Sequence, residues 1–266
     1  MQDQILQTIQ LFKSTLAEDL LAVYLYGSSV DGGLKPQSDV DLLVIINRDL
    51  QNAERHSLAQ KLLDISVPIG SLDGRALEIT VLNHHKIRAQ TYPFSYEMQW
   101  GEWLREELEQ GVALESFEDP DIAILLKKVQ RHHQVLWGKP PSVYLPTIQD
   151  ELVERAIRDS YPQVAAHWDE DGDELNQILA LCRMCYTLQC KAIVPKNVAA
   201  QWFISSLPHD AVSAQSIDAL QLMISEYMGQ IEQQNWTFFH AELADIVQVL
   251  SERLNHHFTV QSPESH

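Results

Sequence analysis

The sequence is poor in cysteine and lacks any long apolar run. Three cysteines among 266 residues are too few for a disulfide framework, which indicates a reducing compartment. Cys182 and Cys185 form a C-x-x-C pair inside a helix-like stretch, and because no second pair completes a zinc site we interpret both as buried thiols. No run of about eighteen apolar residues occurs, and residues 1–4 lack the start of a signal peptide, so we expect a cytoplasmic protein with no membrane partner.

Basic residues are also scarce. Nineteen Lys and Arg stand against 37 Asp and Glu, which gives a formal net charge of −18 at pH 7. Because a phosphate backbone is bound through clustered cations, this composition argues against a nucleic-acid partner. The acidity either keeps the protein soluble or also attracts a small cationic partner, and composition alone leaves both interpretations open.

The pattern of apolar residues changes near residue 90. Before it, helix-like segments at 4–18 and 53–65 alternate with strand-like segments at 21–26, 40–46 and 75–82. After it the pattern is helical, and we expect helices near 97–109, 119–136, 148–160, 174–191, 197–206, 214–232 and 236–256.

Two prolines in the stretch 138–142 interrupt the helical half and mark the expected linker. The sequence therefore predicts an α+β protein with two domains. Residues 1–142 would form a domain around a small mixed sheet, and residues 143–266 an all-α helical bundle. Because no long apolar stripe is left over, we expect a monomer.

The segment from residue 27 to 41 reads Gly-Ser-Ser-Val-Asp-Gly-Gly-Leu-Lys-Pro-Gln-Ser-Asp-Val-Asp and lies between two strand-like runs. Gly27 and Ser28 follow the first run, and a glycine turn there lets backbone N–H groups approach a phosphate closely. Asp39 and Asp41 are two apart at the start of the second run, so in a strand both carboxylates project from one face. Such a pair can bind a hard divalent cation, and magnesium is the expected one.

A third carboxylate lies on a later strand. Residues 75–82 alternate, so that three aliphatic side chains face a core and Glu78 faces the opposite side. Taken alone, this pattern is also typical of a solvated acid on an edge strand. Next to an Asp-x-Asp strand, we interpret Glu78 as a functional acid.

The Gly-Ser turn, the Asp-x-Asp strand and the later carboxylate together resemble the nucleotidyltransferase fold of the DNA polymerase β superfamily. Longer blocks are similar to one branch of it, the bacterial aminoglycoside (3'')(9) adenylyltransferases, and the resemblance runs over nearly the whole chain. These blocks are Tyr24-Leu-Tyr-Gly-Ser-Ser-Val-Asp-Gly-Gly-Leu-Lys-Pro-Gln-Ser-Asp-Val-Asp-Leu-Leu43, Arg75-Ala-Leu-Glu-Ile-Thr-Val81, Gly101-Glu-Trp-Leu-Arg105, Gly172-Asp-Glu-Leu-Asn176 and Pro195-Lys-Asn-Val-Ala-Ala-Gln-Trp202.

This resemblance implies a role for each acid. Asp39 and Asp41 would bind magnesium, and Glu78 would be the general base when AMP passes from ATP to a hydroxyl. Two cations of the second half would serve the ATP phosphates, and one tyrosine would lie against the adenine, although core packing explains that tyrosine equally well. The residues expected at ATP are Gly27, Ser28, Ser38, Arg183, Lys196 and Tyr227.

The resemblance also implies contacts to a cationic antibiotic. Trp103 and Asp173 fall on the positions that meet the drug's cationic groups in the family, and Asp169 matches an acid associated with streptomycin. The tryptophan expected five residues before Asp169 is Val164 here, and Trp168 is its candidate substitute. The streptomycin contacts are therefore only partly present.

The resemblance predicts an antibiotic-resistance enzyme that transfers AMP from Mg-ATP to the 9-hydroxyl of spectinomycin and the 3''-hydroxyl of streptomycin. Three alternatives stay open. The enzyme could modify spectinomycin only, or it could be a nucleotidyltransferase of the same superfamily with a protein acceptor. It could also be a nucleotide-sensing regulator that performs no chemistry.

Overall fold

The computed structural model describes residues 1–89, 91–170 and 172–260. The chain forms two compact units, one of residues 1–149 and one that begins at Asp150. The stretch 138–142, which was expected to link two domains, lies inside the first unit. There Gly138 ends a strand and Pro141 begins a short helix.

The described part of the first unit contains both helices and strands. The helices are α1 (Gln2–Leu16), α2 (Asn52–Leu63), α3 (His84–Arg88), α4 (Arg105–Glu109), α5 (Asp121–Arg131) and α6 (Pro141–Tyr144). The strands are β1 (Leu20–Tyr26), β2 (Val40–Ile46), β3 (Leu77–Asn83), β4 (Phe94–Tyr96), β5 (Met98–Gly101), β6 (Phe117–Asp119) and β7 (Gln134–Gly138).

The main sheet has the strand order β5-β3-β2-β1-β7. Strands β2 and β3 are parallel, whereas the other neighbours are antiparallel, so the sheet is mixed. Strands β4 and β6 form a separate antiparallel pair. The predicted α+β class, with a small mixed sheet before a helical region, is confirmed.

One face of the main sheet packs against α1 and α2. Val23, Leu42 and Ile79 lie on this face, fully buried with Phe12 of α1 and Leu62 of α2. Each such side chain contributes about 1.5–3 kcal/mol when it leaves water, so this face forms the main core of the unit. Residues at the alternate strand positions point to the opposite face.

We predicted that the chain after residue 90 forms helices and no strands, and this prediction was wrong. The expected helix 97–109 is strand β5, a 3₁₀ turn and the short α4, and the expected helix 119–136 ends at Arg131 before β7. Strand β5 pairs with β3 and β7 pairs with β1, both far away in sequence. These pairings decide the conformation because strand preference depends on tertiary context more than on local sequence.

The described part of the second unit is helical, as predicted. Its helices are α7 (Asp150–Ala166), α8 (Glu174–Cys190), α9 (Lys196–Ser206), α10 (Ala214–Tyr227) and α11 (His240–Val260). Helix α8 is central, because it packs against α7, α9 and α11. Cys182 and Cys185 lie on α8 and are buried; burial raises the pKa of the Cys185 thiol to about 12, which fits the structural interpretation of this pair.

Membrane insertion was not expected from the sequence. In the described ranges, no helix combines the length and the apolar character that a bilayer crossing requires.

Candidate active site

Two predicted site residues, Asp41 and Glu78, belong to one row across the main sheet. Asp41 on β2 is opposite Tyr26 on β1 and Glu78 on β3, and Glu78 is opposite Gly101 on β5. Residues in register on neighbouring strands share a face, so the carboxylates of Asp41 and Glu78 lie side by side on the face away from the main core. Asp39 directly precedes β2 and has the same alternation as Asp41.

Gly27 begins the turn after β1 and touches Asp41. Its φ is +68°, a conformation that favours glycine, and a Cβ at this position would overlap Oδ2 of Asp41. The 3₁₀ turn Gly27–Ser29 is closed by N–H groups of Val30 and Asp31, which donate to the Gly27 carbonyl at 3.2 and 3.0 Å. The turn therefore lies directly against the Asp-x-Asp strand, with Ser28 half-buried beside it.

The loop between this turn and Asp39 is held at its end by Ser38 and Arg75. The Ser38 hydroxyl accepts the N–H of Lys35 at 3.0 Å, and the Ser38 N–H donates to the Lys35 carbonyl at 3.0 Å. Arg75 donates through Nη1 to the carbonyls of Lys35 and Pro36 at 2.9 and 2.5 Å. Ser38, expected at ATP, thus also fixes the turn that leads into Asp39.

The pKa of Tyr26 reflects its burial and the negative charge of the carboxylates in this row. Burial, then the nearby carboxylates of Glu78 and Asp41, raise the pKa of this phenol well above its usual value. The phenol therefore stays neutral beside two acids. The negative potential that opposes its ionisation would also favour a cation at this face.

The residues present fit a magnesium ion. Mg²⁺ is commonly held by one or two carboxylates together with substrate phosphates, and Asp39 and Asp41 supply two carboxylates next to a glycine turn. The missing Cβ of Gly27 leaves the space that Asp41 Oδ2 occupies. Over the described ranges, no cluster of three or more His, Cys, Asp or Glu side chains is arranged to hold a metal on its own.

Trp103 lies beside the same row. It is part of the 3₁₀ turn Glu102–Leu104 that follows β5, and it is 54% exposed. Its six-membered ring packs against Gly101, the residue opposite Glu78. The first unit therefore brings together Gly27, Ser28, Ser38, Asp39, Asp41, Glu78 and Trp103.

The residues expected at ATP in the second unit lie on three helices. Lys196 is the first residue of α9, and its Nζ donates to Oδ1 of Asn176 on α8 at 3.0 Å. Arg183 is half-buried on α8, seven residues after Asn176, and this spacing places both on one side of the helix. Tyr227 is the last residue of α10.

The residues expected at the antibiotic in the second unit are grouped around the start of α8. Asp173 precedes this helix, and its Oδ2 accepts Nε2 of Gln177 at 2.5 Å. Asp169 Oδ2 is 3.1 Å from Nε2 of His240, and the ring centroids of Trp168 and His240 are 4.9 Å apart. Asp169 and Trp168 therefore both contact one histidine.

Sequence reasoning missed two residues of this arrangement, Gly101 and His240. Gly101 was quoted only as part of a family block, and nothing local shows that a tryptophan two residues later lies over it. His240 is 71 residues from Asp169, and one sequence offers no signal for such a pair.

Comparison with known families matches both halves of the chain. Residues 7–92 match the polymerase β nucleotidyltransferase model, and residues 144–253 match the C-terminal domain of aminoglycoside adenylyltransferases. These two models correspond to the strand-rich half with the acids and to the helical half.

Individual relatives agree with this assignment. A spectinomycin 9-adenylyltransferase of Staphylococcus aureus is 35% identical over 93% of both chains. An aminoglycoside (3'')(9) adenylyltransferase of Klebsiella pneumoniae is 36% identical over 77% of this chain and 79% of its own. A solved Enterococcus spectinomycin adenyltransferase with ATP and spectinomycin matches with a TM-score of 0.86 and 30% identity, over 96% of this chain and 99% of that one. The chain therefore belongs to the aminoglycoside adenylyltransferase family and is an adenylyltransferase of the antibiotic-resistance type.

Proposed function

We propose that the chain transfers AMP from Mg-ATP to the 9-hydroxyl of spectinomycin and the 3''-hydroxyl of streptomycin, with release of pyrophosphate. The observation that carries this proposal is the row in which Asp41 and Glu78 are in register, with Gly27 against Asp41. It combines a phosphate turn, a carboxylate pair for a metal and a further carboxylate on one face of a sheet.

Asp39 and Asp41 would hold magnesium. When bound, the ion would neutralise charge on the phosphates and orient the leaving pyrophosphate. Gly27 and Ser28 would bind phosphate through the backbone of their turn, and Ser38 would keep Asp39 in place through its bonds to Lys35.

Glu78 acts as the general base in this proposal. The antibiotic hydroxyl oxygen attacks the α-phosphorus, the bond from that phosphorus to the pyrophosphate oxygen breaks, and the hydroxyl proton passes to the Glu78 carboxylate. General-base catalysis of this kind contributes about 10²–10⁴ in rate. The neutral Tyr26 phenol cannot repel the carboxylates, which suits a site that must keep them ionised.

The second unit would supply further groups for both substrates. Lys196 and Arg183 carry positive charge for the triphosphate, and Tyr227 offers an aromatic face for the adenine. Asp173 would pair with a cationic group of the antibiotic.

A second candidate is modification of spectinomycin alone. Asp169 and Trp168, the two residues expected to serve streptomycin, both contact His240, and Val164 stands where the family has a tryptophan. A streptomycin molecule would have to compete with this histidine. The Staphylococcus aureus relative is named for spectinomycin only, and the Klebsiella pneumoniae relative for both positions.

One assay separates these activities. Purified protein is incubated with magnesium and α-labelled ATP, together with spectinomycin, streptomycin or a cell lysate as acceptor. Label in both drugs supports the proposal, and label in spectinomycin alone supports the second candidate. Label only in lysate protein would show a protein acceptor. The absence of label in both drugs and in lysate protein would leave the nucleotide-sensing alternative.

We also propose that the enzyme works in the cytoplasm as a monomer and without nucleic acid. The net charge of −18 disfavours a phosphate backbone. Light scattering on a sizing column, at the protein concentration of the assay, measures the oligomeric state. A mass of two chains would contradict the monomer.

A further inference from the structure

Gly101 occupies a position whose backbone does not need glycine. Its φ of −160° and ψ of 164° are extended, a conformation that any residue adopts. It ends β5 directly opposite Glu78 in the antiparallel ladder, so a side chain at this position would share the face of Glu78. The reason for glycine must therefore lie in what occupies that face.

The occupant is the indole of Trp103. A Cβ built on Gly101 would overlap the Cε3, Cζ3 and Cη2 atoms of that indole. The six-membered ring thus fills the space where a side chain would begin, next to Glu78 in the same row. The residue is nevertheless 54% exposed, so much of it remains accessible to solvent.

The backbone on either side of Trp103 is fixed. Glu102 and Arg105 form a two-point ion pair, with Nε to Oε2 at 2.7 Å and Nη2 to Oε1 at 2.9 Å. Arg105 also donates through Nη2 to the carbonyls of Leu63 and Ser66 at 3.3 and 3.2 Å, at the end of α2. An exposed aromatic ring on such a rigid turn is held in place before any ligand binds.

We propose that Gly101 is a positioning residue for the acceptor. The absence of a side chain at Gly101 seats the Trp103 indole beside Glu78, and the exposed surface of this ring is the platform against which the saturated rings of a cationic aminocyclitol lie. Contact with the indole places the acceptor hydroxyl near the base, and the ring also attracts the acceptor's cationic groups. The ligand in this inference depends on the proposed function. The position of the Trp103 indole over Gly101 is a property of the protein alone.

A double-mutant cycle tests the proposal. Wild type, Gly101→Ala, Trp103→Ala and the double variant are compared by steady-state kinetics with spectinomycin and with ATP. We expect Gly101→Ala to raise the KM for spectinomycin on the order of tenfold, since about 1.4 kcal/mol of contact with the ring is lost. The KM for ATP stays within about twofold in all four proteins, and the double variant is no worse than Trp103→Ala alone.

The decisive comparison is the effect of Gly101→Ala in wild type with its effect in the Trp103→Ala variant. An equal cost of Gly101→Ala with and without Trp103 would mean that this glycine acts through the strand and not through the indole, which overturns the proposal. Should Gly101→Ala fold poorly, the double variant recovers thermal stability, because the overlapping ring is gone. Failure of that recovery would also count against the proposal.

A second readout needs no antibiotic. The fluorescence of Trp103 is obtained as the difference between each protein and its Trp103→Phe counterpart, which removes the signal of the other five tryptophans among the six in the chain. We expect Gly101→Ala to make this signal more accessible to acrylamide. Unchanged quenching would show that Gly101 does not position the Trp103 indole, whether or not the protein modifies spectinomycin. If quenching changes but the protein has no transferase activity, Gly101 does hold the Trp103 indole in place, and the proposed function is rejected.

Discussion

Gly27 sets how closely the phosphate turn approaches the aspartate strand. Its positive φ and its contact with Oδ2 of Asp41 are two separate reasons for glycine at this position. Gly33 is the control that distinguishes the two effects in an experiment. Gly33 has a similar φ of +78°, but nothing lies within 4 Å of the place where its Cβ would be. Alanine at either position strains the backbone, and only at Gly27 does it also displace Asp41.

We predict that Gly33→Ala lowers the free energy of unfolding by about 1–2 kcal/mol, the cost of a left-handed conformation for a residue with a Cβ. Gly27→Ala should lower it by at least as much, because its Cβ would also displace Asp41. Only Gly27→Ala should also reduce kcat, on the order of a hundredfold, because it misplaces a metal carboxylate. Urea unfolding and magnesium-dependent pyrophosphate release measure the two effects. Equal activity of the two variants would show that contact with Asp41 does not matter.

At this scale the sequence was most informative in the first unit. The Asp-x-Asp spacing and the alternation around Glu78 predicted three acids on strands, and the register of β2 and β3 explains why two of them meet. The role of Gly101 could not be predicted, because it depends on a side-chain position that only the folded turn defines. The functions of all these residues stay predictions until they are tested.

Among the elements, three helices of the second unit share one carboxylate. Glu154 on α7 accepts Lys191 Nζ at 2.8 Å and lies 3.1 Å from Nε2 of His257 on α11; Lys191 follows the last residue of α8. Burial of Glu154 opposes its ionisation, but the hydrogen bonds of Lys191 and His257 outweigh burial and lower the pKa of this carboxyl. The ionised carboxylate therefore stabilises the folded unit.

The sign of the pH dependence follows from this lowered pKa. A carboxyl with a lower pKa in the folded state stabilises the protein above its unfolded pKa of about 4.3, and this stabilisation is lost as the pH falls through the folded pKa. We predict that Glu154→Gln lowers the free energy of unfolding by about 1–3 kcal/mol at pH 7. The deficit should shrink as the pH falls below about 4.

Urea unfolding followed by circular dichroism at a series of pH values measures this deficit. Glu252→Gln is the matched control, since Glu252 is exposed on α11 and accepts one bond from Gln248 of its own helix. The control should remain close to wild type throughout. A deficit for Glu154→Gln that is constant from neutral to acidic pH would contradict the role of its charge.

Whether an element could be predicted depended on where its partners lie. Strands β1 to β3 and the long helices show their own apolar periodicity, so the sequence predicts their ends to within about six residues. Strands β5 and β7 are short and lie at the two edges of the main sheet, and Val135 and Trp137 of β7 are 38% and 40% exposed. Their conformation comes from pairing with β3 and β1, which no local pattern reveals.

The charge of the whole molecule bears on both substrates. With a formal charge of −18, the protein should attract a cationic antibiotic and repel Mg-ATP at long range. Salt weakens both effects, because the screening length falls from about 10 Å at 0.1 M to about 3 Å at 1 M ionic strength.

We therefore predict that salt raises the Michaelis constant for spectinomycin but not that for ATP. Between low and high sodium chloride, the KM for spectinomycin should rise a few fold, whereas the KM for ATP should fall or stay constant at saturating magnesium. Initial rates of pyrophosphate release across a salt series measure both constants. A KM for spectinomycin that does not change with salt would mean that the net negative charge only keeps the protein soluble. The composition alone left this interpretation open.

In the proposed mechanism, Glu78 removes the acceptor proton next to the Asp39 and Asp41 pair. The most direct measurement is the single-turnover rate of AMP transfer to spectinomycin by wild type, by Glu78→Gln and by a control variant, each loaded with Mg-ATP. The control is Glu118→Gln, because Glu118 is an exposed acid on strand β6. We predict that Glu78→Gln is slower by about 10²–10⁴ with unchanged ATP affinity, and that the control matches wild type. A Glu78→Gln rate within about twofold of wild type would contradict it.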